Sequence, residues 1–296
     1  MILVAGATGR LGTQIVSLLL GRRQQVRVLT RDPQRAQHLR GEGLEIATGD
    51  VRDPDSLPGP MAGVDTVVSA VHGFEGPGGV TPASVDHLGN RNLIAAAEAA
   101  GARRFVMLSV VGAAPDHVME LFRMKHRAEQ LLRGSSLDWT IIRATAFMEL
   151  WAALVGAPIL KDGKTTIFGR GENPINFVSV LDVARFVDLA VSDPGLRGAV
   201  IEVGGPENLT FNQVAAILAR AAGKEISVSH VPLPVMRLAS VVMRPLKPAL
   251  ARQIQAGVVM DTSDMRLDAQ RARQQYPSIP FTSLAEAASQ FGRPLA

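Results

Sequence analysis

Residues 1–12 read MILVAGATGRLG, an apolar run followed by three evenly spaced glycines and the start of a helix-like pattern. The glycines Gly6, Gly9 and Gly12 allow a sharp backbone turn and the close approach of a phosphate group. The N-terminus of a following helix offers unpaired N–H groups and a positive dipole end to an anion. The order of strand, glycine turn and helix therefore predicts a site for the pyrophosphate of a dinucleotide, with a plain tight turn as the alternative.

The rest of the first half continues this alternation of short apolar runs and helical patterns. The predicted strands are continuous apolar runs, as expected for a parallel sheet that is covered on both faces. They are Ile2–Ala5, Val26–Thr30, Leu44–Thr48, Thr66–Ala70, Arg104–Ser109 and Trp139–Ile142. Helical patterns cover Leu11–Gly21 and Ala83–Ala100. This pattern predicts an α/β fold, a doubly wound parallel sheet of the Rossmann type.

The second half of the chain is less regular and richer in glycine and proline. We expect a dinucleotide-binding domain over residues 1–150 and a smaller C-terminal substrate-binding region over 151–296, interleaved with the first. Later predicted elements are helices Val180–Val191 and Phe211–Ala222 and strands Val200–Val203 and Ile226–Val231. Segment 232–257 carries four basic and no acidic residues. It could cap a pocket or contact an acidic partner, but a solvated helix face is the favoured interpretation.

Composition excludes several classes of protein. The chain has no cysteine, so disulfides, Cys-ligated zinc and Cys nucleophiles are excluded, and its six histidines have no metal-ligand spacing. We therefore expect no metal. The net charge of +4 is too small and too scattered to indicate a nucleic-acid partner. We see no signal peptide and no apolar run long enough to span a membrane, and expect a cytoplasmic protein.

The end of the second predicted strand indicates which dinucleotide is bound. NAD-binding domains usually place an acidic residue there, which binds the ribose 2′-hydroxyl. Here the strand is followed by Arg31, whose guanidinium suits a 2′-phosphate, and Arg10 and Arg35 could add to it. This favours NADP(H) over NAD(H). Asp32 could still reach the ribose, or it could cap a helix that begins near Pro33.

Several motifs together resemble a known family. They are GATGRLG, the TRDP step after the second strand, Gly49-Asp50, and MKHRAEQLLRGSSLDWTIIRATAFME at residues 124–149. The chain resembles atypical short-chain dehydrogenases/reductases, and within them the NmrA-like NAD(P)H-binding proteins. That group includes quinone, triphenylmethane and isoflavone reductases as well as redox-sensing regulators.

The resemblance implies roles for particular residues along the chain. The pyrophosphate turn would consist of Gly6, Thr8, Gly9, Arg10, Leu11 and Gly12, with Arg31 at the 2′-phosphate and Asp50 and Val51 against the adenine. Ala70 and Val71 would flank the ribose and phosphates, Ser109 and Lys125 would be catalytic, with Lys125 also on the nicotinamide ribose, and Ala144, Thr145 and Phe147 would pass the nicotinamide. Asp50 could instead form a turn or cap, and the Ser109 hydroxyl could bind its own backbone.

Lys125 stands out because it lies on an otherwise apolar helical face with Leu121, Ala128 and Leu132. A bound dinucleotide would explain a cation there, whereas the alternative is a side chain that extends along the helix to water. The family's reductases carry a proton-donating tyrosine four residues before this lysine, where this chain has Leu121. The chain's single tyrosine, Tyr276, is far away in the sequence.

Loss of that tyrosine disfavours the reduction of simple ketones, because the alkoxide formed would lack a general acid. Acceptors that delocalise charge, such as quinones, enones and cationic dyes, need less help. Water, His72, His117 or His126 could supply the proton. We expect the small conjugated substrate to contact His72, Phe147, Met148 and Trp151, although such apolar residues are often core, and loop His72–Gly79 could act as a lid.

Three functions remain open at this point. The favoured one is an NADPH-dependent reductase of a quinone or another conjugated apolar acceptor. The alternatives are a non-enzymatic NADP(H)-sensing regulator and a structural or assembly role. Sequence alone leaves the oligomeric state open.

Overall fold

The computed structural model describes residues 1–74 and 79–289. The strands are β1 Ile2–Ala5, β2 Val26–Thr30, β3 Leu44–Thr48, β4 Thr66–Ser69, β5 Arg104–Val110, β6 Asp138–Ala144, β7 Ala146–Phe147, β8 Lys164–Phe168, β9 Ile175–Val178, β10 Ala199–Val203, β11 Asn208–Leu209 and β12 Ser227–Val231. The helices are α1 Arg10–Gly21, α2 Pro58–Met61, α3 Leu88–Ala99, α4 Glu120–Arg133, α5 Met148–Asp162, α6 Val180–Ser192, α7 Phe211–Ala222, α8 Leu233–Met243, α9 Pro248–Thr262, α10 Gln270–Gln275 and α11 Leu284–Ala288. Short 3₁₀ turns occupy Pro33–Ala36, Pro54–Ser56 and Pro194–Leu196.

The first compact unit comprises Met1–Ala144 and Val183–Glu202. It contains a seven-stranded sheet in the order β10-β6-β5-β4-β1-β2-β3, which confirms the predicted doubly wound α/β fold. Strand β1 is buried along its whole length and pairs in parallel with β2 on one side and β4 on the other. The strand order reverses between β1 and β4, and in such sheets this point opens a crevice at the carboxyl ends of the strands.

Apolar side chains from both faces of the sheet form the core of this unit. Helix α1 contributes Leu11, Ile15 and Leu19 from a single buried face, as its amphipathic pattern predicts. Phe105 and Ile141, on neighbouring strands β5 and β6, are completely buried. Continuous burial explains why β1, β4 and β5 read as apolar runs, whereas the edge strand β3 is largely exposed.

One predicted helix of this unit has a different form. Residues 83–100 were expected to form a single α-helix, but Pro82–His87 is π-helical and the α-helix begins at Leu88. Thr81 begins the segment with a capping box to Ser84. The wider turn allows Asp86 to be completely buried within this segment.

The second compact unit comprises Thr145–Asp182 and the chain from Val203 onward. It holds a three-stranded sheet in the order β11-β9-β7 and a parallel pair of β12 with β8. Its core includes Ile159, Phe177 and Val214. The first part of the first unit ends at Ala144, whereas we expected a boundary at residue 150. The unit also includes the later segment Val183–Glu202, so the two units alternate along the sequence. The substrate-binding role of the C-terminal region stays a prediction. No helix in residues 1–74 and 79–289 is long and apolar enough to cross a bilayer.

Candidate functional site

The glycine turn connects β1 to α1. At two of its positions, neighbouring backbone atoms leave no room for a Cβ atom. Gly6 has φ of +84°, and a Cβ atom there would lie 2.5 Å from the carbonyl oxygen of Ala70. At Gly12 a Cβ atom would lie 2.2 Å from the carbonyl oxygen of Gly6. These contacts bring the turn against the end of β4 and bring α1 tightly against the turn.

Gly9 differs, because no neighbour among residues 1–74 and 79–289 requires glycine there. A Cβ atom would find its nearest neighbour, the carbonyl oxygen of Gly6, at 3.4 Å, which is an ordinary contact. Gly9 is exposed and is the N-cap of α1, and in the described chain no side chain caps this helix. The helix start is therefore suited to an anion, and the missing Cβ leaves space for it. Thr8 is half-buried, Arg10 is exposed and Leu11 is buried beside this turn.

Arg31 and Asp32 follow β2 at the same edge of the sheet. The Arg31 side chain is exposed. The carboxylate of Asp32 accepts a hydrogen bond from the backbone N–H of Gln34 at 2.9 Å, so Asp32 caps the short turn that follows. This is one of the two alternatives expected for Asp32, which is exposed like Arg31 but uses one carboxylate oxygen in the cap.

Asp50, which follows β3, forms hydrogen bonds with Arg52, a residue that the sequence analysis did not single out. Both carboxylate oxygens accept hydrogen bonds from Arg52, the shortest at 2.6 Å. These hydrogen bonds lower the pKa of Asp50 despite partial burial, and the charge of Arg31 adds to the lowering. The next residue, Val51, is half-buried, and its carbonyl oxygen accepts a hydrogen bond from Asn92 at 3.0 Å. A contact of Asp50 and Val51 with adenine stays a prediction.

The residues after β4 link the glycine turn to Lys125. Ala70 is half-buried and meets Gly6, as described above, while Val71 is buried. The ammonium of Lys125 donates hydrogen bonds to the carbonyl oxygen of Val71 at 3.1 Å and to that of Leu108 at 2.9 Å. Lys125 therefore ties the ends of β4 and β5 together.

Lys125 is buried, with 4% of its surface exposed, so it does not extend along the helix to water. Its third neighbour is the carboxylate of Asp86, with Nζ 3.0 Å from Oδ1. This contact is an ion pair rather than a hydrogen bond, because Oδ1 of Asp86 is buried without a hydrogen-bond partner among the described residues. An ammonium has three N–H donors, and two of them are used by the carbonyl oxygens. Contact of Lys125 with the nicotinamide ribose stays a prediction.

Asp86 is completely buried and holds two further groups. Its Oδ2 atom accepts a hydrogen bond from the backbone N–H of Gly73 at 2.9 Å. Burial alone would raise the pKa of Asp86, but the charge of Lys125, with a contribution from His72, outweighs this effect and lowers that pKa. The carboxylate is thus held in its charged form.

His72 lies next to this buried pair but faces outward. Its side chain is 51% exposed, and its Nδ1 atom lies 3.8 Å from Oδ1 of Asp86. The imidazole also stacks against the ring of Phe74. An exposed imidazole beside a buried carboxylate is an arrangement that suits the transfer of a proton.

Of the other two candidate histidines, His117 is engaged by its own loop. Its Nδ1 atom accepts a hydrogen bond from the N–H of Met119, and its ring stacks on Phe122 at 4.0 Å. Burial is the main cause that lowers its pKa. His126, on α4, is half-buried. The predicted lid, loop His72–Gly79, lies partly outside the described residues, at 75–78.

Ser109 forms a hydrogen bond with a buried ion pair. Its hydroxyl donates to Glu129 at 2.6 Å, and the serine is almost completely buried. The same carboxylate accepts two hydrogen bonds from Arg143, at 3.0 and 2.6 Å. Ser109 therefore joins β5 to α4, and its catalytic role stays a prediction. Its hydroxyl does not bind its own backbone.

The position of the usual catalytic tyrosine is apolar in this structure as in the sequence. Leu121 is buried on α4, one turn before Lys125. Tyr276 lies in the second unit, directly after α10. The position four residues before Lys125 therefore has no tyrosine hydroxyl.

The remaining predicted residues lie at the entry to the second unit, apart from Ala144, which ends β6 in the first unit and is buried. The Thr145 hydroxyl donates to the side-chain oxygen of Asn176 at 3.0 Å. Phe147 is half-buried in β7. Met148 is 1% exposed and lies in the core of the second unit, and its contact with substrate stays a prediction.

Trp151 also belongs to the second unit. It is partly buried and packs its ring on Phe211, with centroids 5.1 Å apart. The contacts of Phe147 and Trp151 with substrate stay predictions.

Asp86 and Glu129 are buried acids next to Lys125 and Ser109 that our sequence analysis missed. A signal was present, because a lysine on an apolar helical face requires a buried counter-charge. Glu129, one turn after Lys125, is the acid that this argument would have found. The structure pairs Glu129 with Arg143, and Lys125 with Asp86 from the π-helical segment.

The sequence of this chain is similar to one protein family and to several known proteins. A sequence profile of a family described as NAD(P)H-binding matches residues 6–194. The chain is 33% identical over 227 residues to the NAD(P)H azoreductase of Xenophilus azovorans, covering 76% of this chain and 75% of that protein. It is 30% identical to the photosystem II assembly factor Ycf39 of a Synechocystis strain, covering 80% and 72% of the two chains.

A solved structure shows the same fold. The NADPH-dependent quinone oxidoreductase of Escherichia coli, determined in complex with NADPH, superimposes with a TM-score of 0.80. The match covers 98% of this chain and 99% of that chain at 24% sequence identity.

Proposed function

This chain belongs to the NAD(P)H-binding family, in its atypical short-chain dehydrogenase/reductase branch, and on that premise we propose that it is an NADPH-dependent reductase of conjugated acceptors. Quinones are the favoured class of acceptor. The azoreductase and the quinone oxidoreductase similar to this chain support this proposal by their names.

The observation that carries the proposal is the open glycine turn. Gly9 leaves a space that no internal contact requires, directly at the uncapped start of α1. A pyrophosphate fits this space because it is anionic and needs backbone N–H donors without a nearby Cβ. The reduced dinucleotide, when bound, supplies a hydride.

The preference for NADPH over NADH is inferred from the residues after β2. Arg31 is exposed there, while Asp32 uses its carboxylate to cap the next turn. A guanidinium binds a phosphate with charge-assisted hydrogen bonds, whereas a ribose hydroxyl gains little from it. The arrangement therefore supports selection for the 2′-phosphate.

The class of acceptor is inferred from the absence of the family's usual proton donor, the tyrosine. With Leu121 in its place, that hydroxyl group is not there to protonate a ketone oxygen, and the Ser109 hydroxyl already donates to Glu129. A quinone or another extended conjugated system spreads the incoming negative charge over several atoms. Such an acceptor depends less on a proton donor in the transition state.

We propose that His72 delivers the proton that remains necessary. It is exposed, lies at the carboxyl end of β4 next to Val71, and faces the charged carboxylate of Asp86. That carboxylate lies 3.8 Å from Nδ1 of His72, close enough to orient the ring. Lys125 in turn keeps Asp86 charged, so we assign Lys125 a positioning role that acts through Asp86 and Val71.

A second candidate is a role in assembly or in sensing the NADP(H) pool, without turnover. The similarity to the assembly factor Ycf39 favours it, because that relative covers as much of this chain as the azoreductase does. This candidate predicts binding of NADPH without consumption in the presence of any acceptor.

An acceptor panel tests the proposal. Purified protein with saturating NADPH is mixed with benzoquinones, naphthoquinones, azo dyes and simple ketones, and NADPH oxidation is followed. We expect oxidation with the conjugated acceptors and little with the ketones. Binding of NADPH without oxidation by any acceptor would reject the reductase and leave the non-enzymatic role.

A further inference from the structure

The helix pair α8–α9 of the second unit exposes apolar side chains to an unusual extent. We call this surface the α8–α9 patch, and its members are Val235, Leu238, Val241, Val242, Leu246 and Leu250. Leu238, Val241 and Leu246 are each about 70% exposed, at 67%, 70% and 71%. Single exposed apolar residues are ordinary, but five of them on one helix pair and a sixth, Leu246, in the connecting turn require an explanation.

The patch is a second apolar face of α8. Met236 is buried and marks the side of α8 that packs inward. At 3.6 residues per turn, the exposed members of α8 occupy a stripe roughly 120° wide on the opposite side. A helix that is apolar on two opposite faces is normally buried on both. Here the outer face is exposed among residues 1–74 and 79–289, and Leu246 in the following turn and Leu250 on α9 extend it.

The charge around the patch has one sign. Residues 226–260 contain four basic and no acidic residues, so they alone account for a formal charge equal to the +4 of the whole chain. Arg237 and Arg244 fall along one edge of the apolar stripe by helical position, and Lys247 follows in the turn. All three are exposed. An apolar stripe bordered by exposed cations is the pattern of a helix that lies in the surface of an anionic membrane.

We propose that the α8–α9 patch docks on a bilayer surface that contains anionic phospholipid. A second copy of this chain fits less well, because two-fold pairing would bring the cations of both copies together without acidic partners. A protein partner fits less well too, because the patch holds only valine and leucine, whereas protein interfaces favour aromatic residues, methionine and arginine at their centre. Aliphatic side chains with flanking cations suit insertion below lipid headgroups. The inference does not depend on the proposed reductase activity.

Vesicle sedimentation tests the proposal with the full-length protein. The vesicles consist of phosphatidylcholine alone or of phosphatidylcholine mixed with phosphatidylglycerol. We expect binding to the mixed vesicles only, with weakening as salt increases. Absence of binding to the mixed vesicles at low salt would overturn the proposal.

Two variants separate apolar insertion from charge. The apolar variant is Leu238→Asn with Val241→Asn, and its control is Val118→Asn with Leu154→Asn, which are also exposed but lie outside the patch. We expect the apolar variant to bind the mixed vesicles at least about tenfold more weakly than wild type, and the control to match wild type. Unchanged thermal unfolding and NADPH binding would show that both variants are folded.

The charge variant removes three cations at the patch, and its control removes three exposed cations elsewhere. The variant is Arg237→Gln, Arg244→Gln and Lys247→Gln, and the control is Arg127→Gln, Lys161→Gln and Arg220→Gln. We expect loss of vesicle binding in the variant alone. Equal loss in both would mean that only net charge matters, and the proposed surface would be wrong.

Two further outcomes would identify another occupant and overturn the proposal. If the apolar variant still binds the mixed vesicles like wild type, the surface attracts anions without insertion, as a site for an acidic macromolecule would. If wild type is dimeric by light scattering and the apolar variant is monomeric, with no vesicle binding by either, the patch is an interface between copies of this chain.

Discussion

The ammonium nitrogen of Lys125 lies 3.0 Å from a carboxylate oxygen of Asp86, and both side chains are almost completely buried. The pair connects helix α4 to the π-helical segment and, through the carbonyl oxygen of Val71 and the backbone N–H of Gly73, to the loop after β4. Two buried opposite charges hold the segment that carries His72. We therefore expect changes at this pair to affect both stability and the proposed proton transfer.

We predict that removing either charge alone destabilises the fold. Lys125→Met would leave Asp86 as an uncompensated buried carboxylate, at a cost of about 3–5 kcal/mol in the free energy of unfolding. The double variant Lys125→Met/Asp86→Asn should cost clearly less than the sum of the two single changes, because no unpaired charge remains. Denaturant unfolding measures each value. Additive single effects would show that the pair is not coupled.

The same pair predicts a dependence of stability on acid. The pKa of Asp86 is lower in the folded state than in the unfolded state, so the stabilisation is present above the unfolded pKa of about 4. It is lost as pH falls below that value toward the folded pKa. The double variant should therefore lose less stability than wild type over that range of pH. Parallel loss in both proteins would assign acid unfolding to other carboxyl groups.

The exposed pair of Arg103 with Asp65 provides a control for the removal of a buried charge, and Arg103→Met should leave stability nearly unchanged.

Substitution by alanine should lower NADPH affinity at Gly9 and folding stability at Gly12. Gly12→Ala would press a Cβ atom against the backbone at 2.2 Å and should lower the free energy of unfolding by about 1–3 kcal/mol or more. Gly9→Ala meets its nearest atom at 3.4 Å and should leave stability unchanged, while NADPH affinity falls by about tenfold or more. Calorimetric titration and thermal unfolding measure the two effects. Full NADPH affinity in a folded Gly9→Ala protein would place the pyrophosphate elsewhere.

Arg31 should determine the choice of dinucleotide. Arg31→Ala removes charge-assisted hydrogen bonds to the 2′-phosphate and should weaken NADPH binding by about 10- to 100-fold, with little effect on NADH. Arg40→Ala is a matched control, because Arg40 is exposed and bonds only to the backbone of Leu39 among the contacts described for it. Equal losses for both dinucleotides would contradict selection by Arg31.

His72 should determine the pH profile of turnover. A general acid must be protonated, so kcat should fall toward alkaline pH, and His72→Gln should remove this dependence. The loss in kcat should be about 100-fold for an enone and smaller for a quinone, which needs less proton transfer. His230→Gln, in the second unit, is the control. An unchanged pH profile in His72→Gln would exclude His72 as the donor.

The fold was predictable because its signals are local. Strands β1, β2 and β3 begin and end where their apolar runs do, and the glycine turn lies between β1 and α1 as expected. The burial of Lys125 was also expected, because the apolar period of α4 includes it. Its partner was not predictable, because Asp86 comes from another segment whose π-helical form the sequence did not indicate.

The roles of individual side chains were harder to predict, because they depend on which partner each group finds in the fold. Ser109 has the right residue type at the end of a strand, yet its hydroxyl donates a hydrogen bond to Glu129. Met148 follows β7 as a pocket residue would, yet it is packed in the core of the second unit. Sequence period indicates which side of a helix is buried, but it does not indicate whether a buried residue meets a ligand or another side chain.

The measurement that most directly tests the reductase is a single turnover. The protein with one equivalent of bound NADPH is mixed anaerobically with a benzoquinone, and oxidation of the dinucleotide is followed for wild type and Gly9→Ala. We predict rapid, complete oxidation with wild type at a rate that depends on quinone concentration, and loss of this reaction in the variant. Bound NADPH that remains reduced in wild type at saturating quinone, at the rate seen without protein, would contradict the central claim.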